Sequence, residues 1–293
     1  MDGSAGNGCS DGRGSNGHNG GVPILNKDMT LCISLAARPS NIGTRFHNYL
    51  YEELGLNFVY KAFTTTDLPA AITGVRGLGI RGCAVSMPFK EDVIQLVDQL
   101  DPSARAIDSV NTIVNDDGVL TAYNTDYLAI DRLVREHEVP TSHTVLVQGS
   151  GGMAKAVVAA LRDSGFTRVT IVARNERAGR ALAELYGFAW QQEVGTSTAD
   201  LLLNVTPLGM AGPDAEVVAF PQSAIDAARV VFDVVASPSE TPLVLAARRV
   251  GTPVITGAEV VALQAEEQFV LYTGVRPSPE QVRAAGEFSR QQA

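Results

Sequence analysis

Three features of the chain carry residue types that can do chemistry: a lysine, a carboxylate and a glycine-rich turn. Lys90 lies in the stretch RGCAVSMPFKED (81–92), where a short apolar run ends at Met87-Pro88-Phe89 and two acids, Glu91 and Asp92, follow the lysine. A lysine at the end of a strand can be a working amine that gives or takes a proton. Asp126, in Asn124-Thr125-Asp126, is a carboxylate able to hold a proton or a charge. On local pattern alone both residues have plainer readings. Lys90 sits where a helix would begin, with Glu91 and Asp92 as partners of its dipole. Asp126 reads as the N-cap of a helix beginning at Tyr127.

Gly149-Ser150-Gly151-Gly152-Met153-Ala154 matches G-x-G-x-x-A. The match is weak alone, but the strand-like TVLV precedes it and a helical stretch and a second strand, VTIV, follow, which makes one βαβ unit. In such a turn the first glycine allows the tight bend, the second lets backbone approach a pyrophosphate, and Ala154 lets helix and strand pack closely. The helix N-terminus offers free N–H groups to the anion. The next strand ends Val172-Ala173-Arg174-Asn175, with Arg177 close behind. An acid at that tip would bind the ribose 2′-hydroxyl of NAD, whereas a guanidinium suits a 2′-phosphate and can stack on adenine. NADP is therefore the expected cofactor, with NAD possible; Arg180, on the following helix, is a weaker candidate.

The rest of the chain must position these groups. Its 293 residues suffice for two modest domains, and 45% apolar with 19% charged residues suits a soluble globular enzyme. A formal charge of −9 repels phosphate backbones, so nucleic acid is not an expected partner. Cys9, Cys32 and Cys83 form no CxxC and pair with no histidine motif, so neither a zinc site nor a disulfide framework is expected. No apolar run approaches a membrane span and the N-terminus lacks the apolar centre of a signal peptide, which points to the cytoplasm. Residues 1–28, rich in Gly, Ser, Asn and Asp, read as a flexible tail, and Cys9 and His18 within it give little reason for a metal.

From Thr30 strand-like and helix-like segments alternate. TLCISLA and NFVYKAFTT read as strands, with the helical TRFHNYLYEELG between them. DLPAAITGVRGLG reads as a helix capped by Asp67, GCAVSMP as a strand stopped by Pro88, and FKEDVIQLVDQL as an amphipathic helix. SVNTIVNDDGVLTAYNTD reads as a hairpin around Asp116-Asp117-Gly118. The helix YLAIDRLVREHE and a polar break follow. Beyond the glycine turn come the helix RAGRALAELYG, the buried strands DLLLNVTP, RVVFDVVA and TPVITG, the long amphipathic helix AEVVALQAEEQFVLYTG, and SPEQVRAAGEFSRQQ. The pattern predicts an α/β protein of two domains: an N-terminal α/β domain with a mainly parallel sheet, and a Rossmann-type doubly wound parallel sheet.

With these pieces in order, the chain from Thr30 to its end resembles the shikimate dehydrogenase family. The matching pieces are His47-Asn48, Ser86-Met87-Pro88-Phe89-Lys90, Val110-Asn111-Thr112, Asn124-Thr125-Asp126, the Gly149 turn, Asn204-Val205-Thr206-Pro207-Leu208-Gly209-Met210, Asp233 with Thr241-Pro242, and Gly257 with Gln264-Ala265. None is decisive alone; together they are highly specific. The resemblance implies a substrate-binding and catalytic domain of residues 29–125 plus 258–293, a Rossmann NADP-binding domain of residues 126–257, and an active site in the cleft. It implies reversible reduction of 3-dehydroshikimate to shikimate by NADPH, in a monomer or homodimer. Carried onto this chain, Lys90 and Asp126 are the catalytic pair, and Ser86, Asn111 and Gln264 bind hydroxyls of a cyclic polyol carboxylate. Thr206 and Gly257 join the Gly149–Ala154 turn, Arg174, Asn175 and Arg177 at the cofactor. His47 is a structural, hydrogen-bonding histidine, while His137 and His143 read as surface residues.

The departures from the family cluster at the substrate end. The family carries S-x-S-P where two serines hold the substrate carboxylate; aligned from His47-Asn48, this chain has Asn41-Ile42-Gly43-Thr44. Candidate replacements are Ser34, Arg38, Ser40, Asn41, Thr44 and Arg45, and an arginine would hold a carboxylate more strongly than serine does. N-V-T before the lysine becomes Ala84-Val85-Ser86, NTDG becomes Asn124-Thr125-Asp126-Tyr127, and a tyrosine often found after the FD/YD strand becomes Ala236. A kept catalytic pair with altered contacts implies a paralogue that turns shikimate over weakly, or prefers quinate or an amino-substituted analogue. Two other classes compete. One is another NAD(P)-dependent dehydrogenase on a similar frame, such as a methylene-tetrahydrofolate or glutamyl-tRNA reductase relative; the lysine after Ser-Met-Pro and the later Asn-Thr-Asp argue against the latter. The other is a non-catalytic NADP-binding regulator.

Overall fold

The computed structural model describes residues 25–291. Most of the expected tail, with Cys9 and His18, lies outside the described residues. Its last residues form a turn tied to Asn57: Asn26 Nδ2 donates to Asn57 Oδ1 at 3.1 Å and Asn57 Nδ2 to Asp28 O at 3.0 Å.

The chain folds around two six-stranded sheets. The first contains β1 (Thr30–Leu35), β2 (Phe58–Phe63), β3 (Gly82–Val85), β4 (Gln99–Leu100), β5 (Thr112–Asp116) and β6 (Val119–Tyr123), in the order β2-β1-β3-β5-β6-β4. β1 runs parallel to β2 and β3, and β5 runs antiparallel to β3 and β6. The expected hairpin joins β5 to β6, with Asp117 and Gly118 at φ 51° and 93°. Positive φ at both central positions matches the turn to the twist of its strands. α1 (Asn41–Glu53) and α2 (Leu68–Gly77) are the crossovers between the parallel strands. Asp67 caps α2, accepting from Ala70 N at 3.0 Å.

The helix expected after Phe89 does not form. A short 3-10 turn, Asp92–Leu96, is followed by β4. Asp98 N donates to Leu120 O at 3.0 Å, Leu120 N to Asp98 Oδ2 at 2.7 Å, and Asp101 N to Ala122 O at 2.9 Å. Pairing with β6 therefore satisfies the backbone groups that a helix would have used. A one-turn helix, α3 (Pro102–Arg105), follows under an Asp101 cap.

The second sheet contains β7 (Val145–Gln148), β8 (Val169–Val172), β9 (Ala189–Gln191), β10 (Leu201–Asn204), β11 (Val230–Asp233) and β12 (Val254–Thr256), ordered β12-β11-β10-β7-β8-β9 and parallel throughout. Counted from its own first strand, this is the 3-2-1-4-5-6 order of dinucleotide-binding folds. α5 (Gly152–Asp163), α6 (Glu176–Tyr186), α7 (Gln222–Ala227) and α8 (Pro242–Arg249) cover it. Helices on both faces explain the unbroken apolar strands: Val145 and Val147 enter one core, Leu146 the other.

α4 (Thr125–Glu136) leads from the first sheet to the second, α9 (Gly257–Thr273) leads back, and α10 (Pro279–Arg290) packs on α1. α4 and α9 pack together, and Arg132 Nη1 donates to Glu266 Oε1 at 2.9 Å and Glu267 Oε1 at 2.8 Å. α9 is not the one-faced amphipathic helix expected. Its Val260 and Leu263 join the core of the second sheet, while Phe269 and Tyr272 join that of the first. No helix among the described residues is long and apolar enough to cross a membrane.

Candidate active site

Lys90 lies in the turn that leaves β3. Phe89 N donates to Ser86 O at 3.0 Å and Val110 N to Lys90 O at 2.9 Å, which closes the turn and ties it to the segment entering β5. Asp126 lies in the first turn of α4, and the cap is Asn124, not Asp126 as its type suggested. Asn124 Oδ1 accepts from Tyr127 N at 3.0 Å and its Nδ2 donates to Ser109 O at 3.0 Å. A capping side chain reaches the N–H two or three residues on, so with Asn124 in that place the Asp126 carboxylate is left free to pair. Lys90 Nζ donates to Asp126 Oδ2 at 3.2 Å, with the two side chains 29% and 17% exposed.

Asn111 is buried next to this pair. Its Oδ1 accepts from Thr125 N at 2.8 Å and from the hydroxyls of Thr125 and Thr112 at 3.2 and 3.0 Å, while its Nδ2 has no partner. Ser86 is exposed on the Lys90 turn, and Gln264 is half-buried on α9. Among the carboxylate candidates, Ser40 is an exposed N-cap of α1 whose side chain caps nothing, and Asn41 and Arg38 are exposed. Thr44 is half-buried with Oγ1 unpartnered, and Ser34 bonds to Tyr60. Arg45 is already engaged elsewhere. Its Nε and Nη2 both donate to Phe288 O, at 3.2 and 3.0 Å, and its guanidinium lies 4.2 Å from the centre of the Phe288 ring.

His47 is fully enclosed, stacked on Tyr60 with ring centres 4.5 Å apart, and its Nε2 lies 3.2 Å from Gln268 Oε1. Burial lowers its pKa to about 4, so it is neutral and structural. His137 is exposed as expected, 3.1 Å from Glu259 Oε1. His143 departs from the surface reading: it is half-buried at the start of the second sheet.

A cleft of about 490 Å³ opens beyond the C-terminal ends of β7, β8 and β10, lined among others by Gly149, Ser150, Arg174, Asn175 and Thr206. This is the point where strand order reverses, the usual dinucleotide crevice. Gly149 has φ 129°, and a Cβ there would stand 2.7 Å from Val205 Cγ2. Gly151 and Gly152 face open space, which leaves the α5 N-terminus accessible to an anion. Ala154 is fully buried against the strands, with Met153 partly buried beside it. Asn175 caps α6, accepting from Ala178 N at 3.1 Å. Arg174 is exposed at the strand tip and Arg177 is exposed on α6. Arg180 is engaged elsewhere, donating to Glu176 at 2.8 Å and lying 4.3 Å from the Trp190 ring centre.

Thr206 is held by a buried network. Its hydroxyl donates to Asn204 Oδ1 at 2.6 Å, Asn204 Nδ2 donates to Asp233 Oδ1 at 3.0 Å, and Thr241 donates to Asp233 Oδ2 at 2.6 Å. Burial pushes the Asp233 carboxyl up, and these hydrogen bonds pull it back. Gly257 begins α9, where a Cβ would meet Val235 O at 2.3 Å and Val234 O at 2.4 Å. The demand visible there is close packing of α9 against the end of β11.

Residues 41–113 match the family model described as the shikimate dehydrogenase substrate binding domain. A shikimate dehydrogenase-like protein of Haemophilus influenzae is 56% identical over 268 residues, which is 91% of this chain and 99% of that relative. The chain belongs to the shikimate dehydrogenase family. A shikimate dehydrogenase (NADP(+)) of Geobacter sp. is 36% identical over 248 residues, 79% of this chain and 85% of the relative. The solved shikimate 5-dehydrogenase of Thermus thermophilus, in complex with NADP(H) and shikimate, is 29% identical with TM-score 0.78, covering 89% of this chain and all of that one. Within this shikimate dehydrogenase-family fold, three residues outside the sequence candidates reach the site: Thr112, Thr125 and Gln268. Gln268 lies four residues after Gln264, hence on the same helix face, and that spacing was the available signal.

Proposed function

We propose that the protein is an NADP-dependent oxidoreductase that moves a hydride reversibly between NADP(H) and shikimate or a close cyclic polyol carboxylate. The observation that carries this reading is the 3.2 Å contact of Lys90 Nζ with Asp126 Oδ2. The first sheet with α9 and α10 serves as the substrate unit, and the second sheet as the cofactor unit. The free N–H groups at Gly151 and Gly152 would hold the pyrophosphate and Arg174 the 2′-phosphate. Bound NADP(H) supplies the hydride acceptor or donor. In the reducing direction the Lys90 ammonium gives a proton to the carbonyl oxygen as it becomes an alkoxide; in the oxidising direction the amine takes the proton of the hydroxyl. Asp126 holds that amine in place. Asn111 Nδ2 donates to a ring hydroxyl, with Ser86 and Gln264 completing the polyol contacts.

Ser40, Asn41 and Thr44 are the groups left to meet the substrate carboxylate. Gly43 and Ala84 offer no donor where the family has a hydroxyl and an amide, and each lost bond to a buried partner costs about 1 kcal/mol. Turnover of shikimate is accordingly weak, with quinate or an amino-substituted analogue as the alternative substrate. The test is initial rates with NADP and NAD against a panel of these acids, with Lys90→Ala as control. NADPH binding without Lys90-dependent turnover of any acid would leave a cofactor-binding regulator instead. Shikimate turnover as fast as that of the Thermus enzyme, measured side by side, would sink the weak-activity claim.

A further inference from the structure

We infer that Gln268 and Thr112 are positioning residues that lock the Asn111 amide so that it presents a donor, and never an acceptor, to the substrate. The inference rests on the proposed function, in which Asn111 Nδ2 meets a substrate hydroxyl.

The two ends of an asparagine amide have nearly the same shape, so only their partners decide which end faces which way. At Asn111 the partners decide it. Thr125 N, 2.8 Å from Oδ1, can only donate, so the oxygen must face it. Thr112 has one hydroxyl hydrogen, given to the same Oδ1 at 3.0 Å, and its lone pair takes a hydrogen from Gln268 Nε2 at 2.9 Å. Gln268 is itself oriented. Its Nε2 also faces Asn111 O at 3.5 Å, a carbonyl that only accepts, and its Oε1 faces His47 Nε2 at 3.2 Å. His47 therefore carries its hydrogen on Nε2. The donors run in one direction, from His47 to Gln268 to Thr112 to Asn111.

Every member is shut off from solvent, with exposures of 1% for His47, 9% for Gln268, 0% for Thr112 and 3% for Asn111. Water cannot replace a missing link there, so removing one leaves a buried polar group unpaired and the amide oxygen held by Thr125 alone. The one donor that the relay leaves over is Asn111 Nδ2. The same Oδ1 is bound by both donors of Thr125, the residue before Asp126, so the relay also fixes this amide relative to the helix that carries the catalytic carboxylate.

Thr112→Val keeps the shape and removes the hydroxyl, Thr112→Ser keeps the hydroxyl, and Gln268→Leu breaks the next link. Each variant, with Asn111→Ala, is assayed for KM and kcat on the best acid of the panel, for calorimetric shikimate affinity in the presence of NADP, for NADPH affinity, and for Tm. Thr112→Val and Gln268→Leu are expected to raise KM and weaken shikimate binding about five- to tenfold, the value of one hydrogen bond. They should leave kcat and NADPH affinity nearly unchanged, and Thr112→Ser should restore the parent KM. Asn111→Ala raising KM while the two relay variants only lower Tm would overturn the relay and leave the proposed function standing. An unchanged KM in Asn111→Ala would remove the substrate contact itself, and the inference would fall with it.

Discussion

Replacing Lys90 by alanine separates chemistry from scaffold, because the two contributions of this side chain differ in size. Its ion pair with Asp126 spans 3.2 Å, and the two side chains are 29% and 17% exposed. At that distance Coulomb attraction is about 1 kcal/mol in bulk water and about 5 kcal/mol at an effective dielectric of 20. Desolvation and lost side-chain freedom bring the net value of so wet a pair to about 1 kcal/mol or less. Lys90→Ala should then lower Tm by no more than about 2–4 °C. A positioned proton donor, by contrast, is worth about 10²- to 10⁴-fold in rate, or roughly 3–5 kcal/mol on the barrier. Asp126→Asn keeps the volume and an accepting oxygen but removes the charge, so its loss should be smaller, about 10- to 100-fold. In the proposed mechanism the carboxylate acts through the amine, so the double variant should be no slower than Lys90→Ala. The assay is NADPH formation at saturating NADP and acid, followed by absorbance. A Lys90→Ala kcat within about threefold of the parent would refute the proton-donor role, since general acid catalysis is larger than that. A double variant slowed by the product of the two single losses would refute the coupling.

Arg174→Ala should raise KM for NADP and leave that for NAD nearly unchanged, shifting the kcat/KM ratio of the two cofactors by about 10- to 100-fold, the worth of a charge-assisted phosphate contact. Gly257→Ala would drive a Cβ to within 2.3 Å of Val235 O and 2.4 Å of Val234 O, backbone atoms with no rotamer to escape into. It should cost about 2–3 kcal/mol in denaturant unfolding, as overpacking does. His47 is held at about 4 in the fold against 6.5 in the unfolded chain. Because the folded value is the lower, the unfolded chain binds the proton first as pH falls. Stability is complete above pH 6.5 and is lost down to pH 4, by about 3 kcal/mol in full. His47→Asn should flatten the Tm profile across that window.

What the sequence disclosed depended on the range of the interaction. The second sheet was legible because strands buried on both faces read as plain apolar runs, and because Gly149 is demanded by its own backbone angle. The types of Lys90 and Asp126 were legible, but their 3.2 Å partnership joins a strand turn to a helix that follows a hairpin, and no local pattern encodes that. The helix after Phe89 looked sound until β6 took its backbone groups. Asn124 and Asp126 both have capping side chains, and only the fold chose between them. Arg45 read as a candidate for the substrate carboxylate, yet its partner, the Phe288 carbonyl, is 243 residues away. Gln268 was hidden for the opposite reason: a polar residue on a helix reads as solvent-facing, and this one is 9% exposed.

The return of the chain through α9 sets an order on synthesis. The core beneath α1 is shared between the two ends of the protein, with Phe46, Leu50, Tyr51 and Tyr60 packed against Phe269, Tyr272, Val282 and Ala285. A ribosome releases the first group before the second sheet and the second group after it. In between it makes the whole of the second sheet, β7 to β12, over on the order of ten seconds at usual elongation rates. The first sheet's core is therefore begun before the second sheet and finished after it. Through that interval its aromatic face stands open to chaperones, while the second sheet, whose strands and helices are contiguous in the chain, is free to fold as it emerges.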